Sequence, residues 1–384
     1  MATPRTDQGE PPGREPAGPL TGFTIGVTAA RRREELTALL RRRGARVIEA
    51  PTLRILPLAD DGDLRRATDR CLAGPLDYVI ATTGVGWRGW MSTADGWGQG
   101  ARLAQACRQA VVLTRGPKAT GAVRASGLNE TYSPRSEACD ELLTWLLARE
   151  LTGRRIAVQE HGAPLDGFAA ALRERGAEVI EVPVYRWAPP QDPDAVRRLV
   201  EQTARREVHA LAFTSAPAIT AFLDTADAAG LRAEVLAALR DDVLSACVGP
   251  LCARPLEDVG VSTVSPERGR LGSLVRTIAE ALPARNRREL QAGGRSIVLQ
   301  GSAVLVDGTA FWLPPVPAAV LRALAEQPGW VLSRADLLRR VWPGSGADEH
   351  AVEAAVARLR GALGPHGALV RTVPKRGYRL AVGG

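Results

Sequence analysis

No stretch of this chain approaches the ~20 consecutive apolar residues that a membrane-spanning helix needs, although 45% of its 384 residues are hydrophobic. The opening segment, MATPRTDQGEPPGREPAGPL, carries proline, glycine and charge but no apolar signal-peptide core. It predicts a disordered tail over residues 1–20. Cysteine is scarce. The five (Cys71, Cys107, Cys139, Cys247, Cys252) are odd in number and never form C-x-x-C, which gives no zinc site and fits a reducing cytoplasm. The four histidines (His161, His209, His350, His366) stand far apart, without metal-ligand spacing, so no metal is expected. Lysine is nearly absent, 2 against 48 arginines, a bias that reports GC-rich coding and carries no functional weight.

What is present is charge in one place. From Arg285 onward, 13 arginines and 1 lysine face 7 acidic residues. That segment supplies +7 of the chain's +8 and leaves +1 for everything before it. A concentrated basic surface suits a phosphate backbone better than evenly spread basicity does. The segment closes on RTVPKRGYRL (Arg371 to Leu380), which reads as a basic β-hairpin after an amphipathic helix.

The body is organised by an internal repeat. GARVIEAPTLRILP (Gly44 to Pro57) and GAEVIEVPVYRWAP (Gly176 to Pro189) share eight of fourteen positions at a separation of 132 residues. Each follows an apolar strand (Phe23–Thr28; Arg155–Gln159) and an amphipathic helical stretch (Arg31–Arg43; Pro164–Arg175). YVIATTGVGWRGWM resembles LAFTSAPAITAFL, and Gly116-Pro117 with Gly127 matches Gly249-Pro250 with Gly260. A duplicated α/β unit with open, mostly parallel sheets follows. The Pro-bracketed PTLRILP and PVYRWAP predict extended connectors between two lobes.

Four turns follow strands and precede helices: Thr82-Thr83, Gly116-Pro117, Thr214-Ser215 and Gly249-Pro250. In an open α/β sheet such turns lie at the carboxyl edge, where ligands bind. Hydroxyls there serve equally as N-caps. Four turns on one expected cleft favour an anionic ligand, carboxylate or phosphate.

The strand–helix–VIEAP opening, VPVYR, LAFTSAPAITAF and CVGPLCARPLEDVGV together resemble uroporphyrinogen-III synthase over about residues 22–282. The resemblance implies two flavodoxin-like lobes joined by a two-stranded ladder: lobe one 22–51 with 189–282, lobe two 58–182. It also implies cofactor-free cyclisation of hydroxymethylbilane, whose carboxylates match the anion-ready turns. There the protein chiefly holds a reactive chain in place, and Tyr185, near the interlobe linker, would assist the departing hydroxyl. Tyr185 reads equally as a linker aromatic packed on the sheet. The ligand contacts implied are Thr28, Thr82, Thr83, Lys118, Thr214, Ser215 and Cys252. Two positions depart from the family. Thr28 is followed by Ala29 where Thr-Arg is usual, and GPLCA places Cys252 where a hydroxyl is usual. A thiol is a weak donor, so both changes remove polar contacts to substrate.

Residues 283–295 read as a charged linker, and the pattern then changes. SIVLQGSAVLVDGTAFWLP predicts short strands with turns at Gln300-Gly301 and Asp307-Gly308. Pro317–Glu326 predicts a helix, Ser333 with Asp336 a near capping box for the next one, and Asp348–Leu363 a third with Val352, Val356, Leu359 and Leu363 on one face. WVLSRADLLRRVW, V-x-x-x-V-x-R-L-R-x-x-L-G and RTVPKRGYRL resemble the winged-helix effector domain of OmpR-type response regulators over residues 290–384. By that resemblance Asp348–Leu363 is a recognition helix for double-stranded DNA. His350, Ala351, Ala354, Ala355 and Arg358 would face bases, Arg360 phosphate, and Lys375-Arg376 a minor groove at the wing tip. The helix is alanine-rich, which points to modest affinity and to a homodimer, a partner regulator or RNA polymerase as further partners.

The fold expected is therefore α/β, two flavodoxin-like lobes plus a C-terminal winged helix-turn-helix over 296–384. No acidic phospho-acceptor pattern precedes the winged helix. The function expected is a cytoplasmic DNA-binding regulator whose synthase-like body senses a tetrapyrrole-like or other anionic ligand, or a partner. The alternative is a working synthase, a cyclising lyase of tetrapyrrole biosynthesis, with a DNA-binding tail.

Overall fold

The computed structural model describes residues 17–58, 62–343 and 347–382. Most of the expected tail, residues 1–16, lies outside the described residues. Residues 17–20 correct that expectation, because Leu20 is wholly buried and its amide donates to the Arg43 carbonyl at 2.8 Å. The chain forms two compact units: one holds the residues up to Thr52 and those from Asp192 on, the other Leu53–Gln191.

The first unit contains a parallel sheet in the order Thr263–Val264, Leu244–Cys247, Ala210–Phe213, Thr24–Val27, Arg46–Glu49. Numbered along the chain this is 2-1-3-4-5, the flavodoxin-like order. TIGV, ALAF and LSAC are buried at every residue, as strands must be when helices cover both faces. Helices Arg33–Arg41 and Leu271–Asn286 cover one face through Leu36, Leu40, Leu274 and Ile278. Helices Pro193–Ala204, Ala216–Ala228 and Arg232–Asp241 cover the other, around Leu199, Phe213 and Phe222.

The second unit repeats the plan. Its parallel sheet runs Val111–Thr114, Tyr78–Ala81, Arg155–Gln159, Glu178–Val182. Each strand occupies the place of its repeat partner in the first sheet: Arg155–Gln159 answers Thr24–Val27, and Glu178–Val182 answers Arg46–Glu49. The Pro-bracketed connectors pair with one another as an antiparallel ladder, Arg54–Pro57 against Tyr185–Ala188.

The expected linker is not free chain. Helix Leu271–Asn286 runs directly into strand Arg287–Ala292, the first of an antiparallel sheet completed by Arg295–Gln300, Ala303–Val306 and Thr309–Trp312. RRELQA buries only Ala292 and faces solvent along most of its length, so it lacks the alternation that marks a half-buried strand. Helices Pro315–Glu326, Arg334–Val341 and Glu349–Leu363 and the hairpin Val370–Val373/Gly377–Leu380 complete a winged helix. Its core joins Val304, Val320, Leu324, Leu337, Val352, Val356, Leu359 and Tyr378. Among the described residues no helix is long and apolar enough to cross a membrane.

Candidate functional site

The candidate nucleic-acid face is built on helix Glu349–Leu363. The Asp348 carboxylate caps it by accepting from the Ala351 amide at 3.1 Å. Its apolar stripe is buried, while His350, Glu353, Ala354, Ala357, Arg358 and Gly361 are exposed on the other side. Ala351 is half-buried. Ala355 corrects the expectation of base contact: it is wholly buried in the domain core. The helix before it starts on a full capping box. Ser333 Oγ accepts from the Asp336 amide at 3.1 Å, and the Asp336 carboxylate accepts from the Ser333 amide at 3.2 Å.

The wing is locked to this helical pair. Leu332 and Tyr378 exchange two backbone hydrogen bonds of 2.9 Å. Arg334 pairs with Glu353 at 2.9 Å and lies 5.6 Å over the Tyr378 ring. At the wing tip Lys375 takes φ +61°, the Arg376 amide donates to the Val373 carbonyl at 3.0 Å, and Arg371, Lys375 and Arg376 are exposed. Arg360 departs from its expected phosphate role. Its guanidinium donates to the Val370 carbonyl at 3.0 and 2.8 Å and to Thr372 Oγ1 at 2.8 Å. It clamps helix to wing.

At the carboxyl edge of the first unit's sheet lie Thr28, Thr214, Ser215 and Cys252. Thr28 is buried and donates to the Ala212 carbonyl at 3.2 Å, so its hydroxyl ties two strands together. Thr214 is half-buried, and Ser215, exposed, precedes helix Ala216–Ala228 without capping it through its side chain. Cys252 is 6% exposed. A recess of about 450 Å³ in this unit is lined by Arg32, Glu35, Arg270, Ser273 and Arg276. Sequence reasoning passed over it because Arg32 and Arg270 are far apart along the chain.

At the carboxyl edge of the second unit's sheet, Thr82 is buried and donates to the Gln159 carbonyl at 2.7 Å. Thr83 caps helix Gly84–Gly96 by accepting from the Gly86 amide at 3.1 Å, and its own amide donates to Gln159 Oε1 at 3.2 Å. Lys118 is exposed on the first turn of helix Pro117–Ala125. Tyr185 is 7% exposed in the apolar cluster that holds Trp87 and Trp90.

The same edge holds residues that sequence reasoning missed: Arg115, Gln159, Glu160 and His161. Burial, followed by repulsion from Glu181, raises the Glu160 carboxyl above its ordinary range. Burial and the Arg115 guanidinium push His161 down to about 4, and its Nδ1 is buried without a hydrogen-bond partner. The signal was available as QEHG directly after the apolar RIAV.

Residues 34–276 match the family described as Uroporphyrinogen-III synthase HemD. The chain belongs to that family. Residues 308–380 match the family described as Transcriptional regulatory protein, C terminal. A mutant uroporphyrinogen III synthase crystal structure from Thermus thermophilus is 28% identical, with a TM-score of 0.58 over 68% of this chain and 99% of that one. YjjA, an uncharacterised protein of Bacillus subtilis, is 28% identical over 265 residues, which are 68% of this chain and 96% of that protein. The transcriptional regulatory protein AfsQ1 of Streptomyces coelicolor is 35% identical over 132 residues, 30% of this chain and 54% of that protein. The molecule is thus a HemD-type α/β body fused to an OmpR/PhoB-type DNA-binding domain.

Proposed function

We propose that this HemD-family protein is a DNA-binding transcriptional regulator whose synthase-like body senses an anionic, tetrapyrrole-like ligand or a protein partner. The observation that carries the reading is the winged helix. It presents Arg358 beside small residues on an exposed helix face and Arg371, Lys375 and Arg376 on the wing, the arrangement that enters a major groove and meets backbone phosphate. In the body, the Thr28 and Thr82 hydroxyls are bound to main-chain carbonyls, and a buried thiol, Cys252, stands where a hydroxyl is usual in the family. In the first unit the half-buried Thr214 and the exposed Ser215 are available to a ligand, and Arg270 and Arg276 give the recess positive charge for carboxylates, Arg32 there being paired with Glu35 at 2.7 Å. Exposed Trp330 and Val382, beside Gly329, offer an apolar spot for a partner regulator, RNA polymerase or a second copy. A cytoplasmic location follows from a DNA-binding role.

Selection of bound fragments from randomised duplex DNA by the purified full chain tests the regulator. Enrichment of one sequence supports it, and recovery of unselected DNA removes it. The alternative, an active synthase, is favoured by family membership across residues 34–276 and by the retained Tyr185. Hydroxymethylbilane given to the same preparation should cyclise no faster to the type-III isomer than it does unaided. A clear type-III product overturns the sensor reading of the body.

A further inference from the structure

Four of the chain's cysteines share one tendency and the fifth opposes it. Cys71 and Cys107 lie in the apolar core of the second unit, where burial pushes each thiol up to about 12. Cys139 is raised by burial as well. Cys247 is raised by its hydrogen bond with Cys252 and by burial. Cys252 is lowered by the same hydrogen bond, against burial and with help from a backbone hydrogen bond of Val248. With Cys247 donating to it, the Cys252 sulfur is biased toward thiolate relative to Cys247.

The fold brings this pair together. Cys247 ends strand Leu244–Cys247, and Cys252 lies in the first turn of helix Pro250–Glu257, at the positive end of its dipole. Only Val248 and Gly249, the helix N-cap, separate strand from helix, and both sulfurs enter one cluster with Phe213 and Leu256. Cys247 is wholly buried and Cys252 nearly so, with Leu251 exposed beside it.

We propose that Cys247 and Cys252 are a redox-active dithiol that a hydroperoxide converts into an intramolecular disulfide at the carboxyl edge of the first unit's sheet. The Cys252 sulfur attacks the terminal peroxide oxygen. The O–O bond breaks, and the leaving alkoxide takes a proton and departs as alcohol, or as water from hydrogen peroxide. Cys252 is then a sulfenic acid. The Cys247 sulfur attacks it, the S–S bond forms as the S–O bond breaks, and the hydroxide leaves as water with the Cys247 proton. Two electrons pass from the thiol pair to the peroxide, and a small dithiol returns them by exchange. A disulfide between a strand end and a helix start pulls Gly249 and Pro250 with it, so the bond alters the turn that borders the ligand edge. The chemistry stands on the two sulfurs and does not depend on the regulatory reading.

The test uses the full reduced chain and hydrogen peroxide. Thiols are alkylated under denaturing conditions, and each cysteine peptide is followed by mass. The peptide carrying Cys247 and Cys252 should become two hydrogens lighter and resist alkylation roughly tenfold faster than Cys139 oxidises, and dithiothreitol should restore it. Cys247→Ser should stop at a Cys252 sulfenic acid that dimedone traps. Equal oxidation rates at Cys139 and the pair, a pair still fully alkylated, or direct over-oxidation of Cys252 without a disulfide would each overturn the proposal. The first measurement needs no variant, so it decides the matter even if a mutant folds poorly.

Discussion

The Gln300 side chain donates to the Thr21 carbonyl at 2.7 Å across 279 residues of sequence, and to the Pro19 carbonyl at 2.9 Å. This bond seats the winged helix on the first α/β sheet within a single compact unit. Two glycines make the approach feasible. Gly22 has φ +89°, and a Cβ there would stand 2.2 Å from the Gln300 carbonyl oxygen; Gly301 has φ +56°, with its Cβ position 2.4 Å from the Gly22 oxygen. The Ser302 amide closes the seam on the Gly22 carbonyl at 2.8 Å. The first sheet and the DNA-binding domain are therefore joined by direct backbone and side-chain hydrogen bonds. Gln300→Ala leaves two carbonyls without their donor in a site where Gln300 is 3% exposed, a cost of about 1–3 kcal/mol in urea unfolding. Gly301→Ala should also quicken tryptic cleavage around Arg285–Arg288. Parent-like stability and cleavage in both variants would show that the seam is not what holds the domain.

The Ser333 cap should count twice. Ser333→Ala removes the hydroxyl that satisfies the Asp336 amide and loosens the partnered carboxylate. The expected loss is about 0.5–2 kcal/mol, with weaker DNA binding because helix Arg334–Val341 supports helix Glu349–Leu363 through Arg334 with Glu353. Ser333→Asp keeps a capping oxygen and should recover most of both. Equal losses in the two variants would assign the effect to packing.

Three arginines should separate by readout. Arg376→Ala removes a charge from the wing tip and should weaken binding on all sequences, lowering the salt slope by about one. Arg358→Ala should relax base preference at about 1–3 kcal/mol. Arg360→Ala frees the Val370 carbonyl and Thr372 hydroxyl from helix Glu349–Leu363, so it should destabilise the domain and leave the salt slope of the remaining folded protein unchanged. A slope that falls for Arg360→Ala returns it to the phosphate contacts.

Much of this was legible because the chain repeats itself or places a residue type where physics has one use for it. GARVIE and GAEVIE marked matching strands, Ser333 with Asp336 marked a helix start, and RTVPKRGYRL marked a hairpin. The rest lies in contacts between distant residues. Ala354 and Ala355 are chemically identical, and only about 100° of helical rotation sends one outward and one into the core. RRELQA is an edge strand with a solvent-facing side, so its polar character hid it. Nothing in Gln300 or Gly22 taken singly points to a partner some 280 residues away.

Two histidines should govern stability below neutrality. Burial and Arg115 hold His161 at about 4, while burial and Arg322 hold His209 at about 4, with His209 Nδ1 accepting from the Thr24 amide at 3.0 Å. Both folded values lie below the ~6.5 of an unfolded histidine, so each ring is neutral in the folded protein at pH 7. Their contribution is complete above about pH 6.5. As pH falls from there toward 4 the unfolded chain binds protons that the folded chain refuses, and stability declines by up to about one proton's slope per ring. Below about 4 both states are protonated and the decline from this source ends. His161→Asn and His209→Asn should each flatten the curve of urea midpoint against pH between 6.5 and 4, and the double variant should flatten it further. A double variant as steep as the parent would move the proton uptake to other groups, and the neutral rings would then have no part in acid sensitivity.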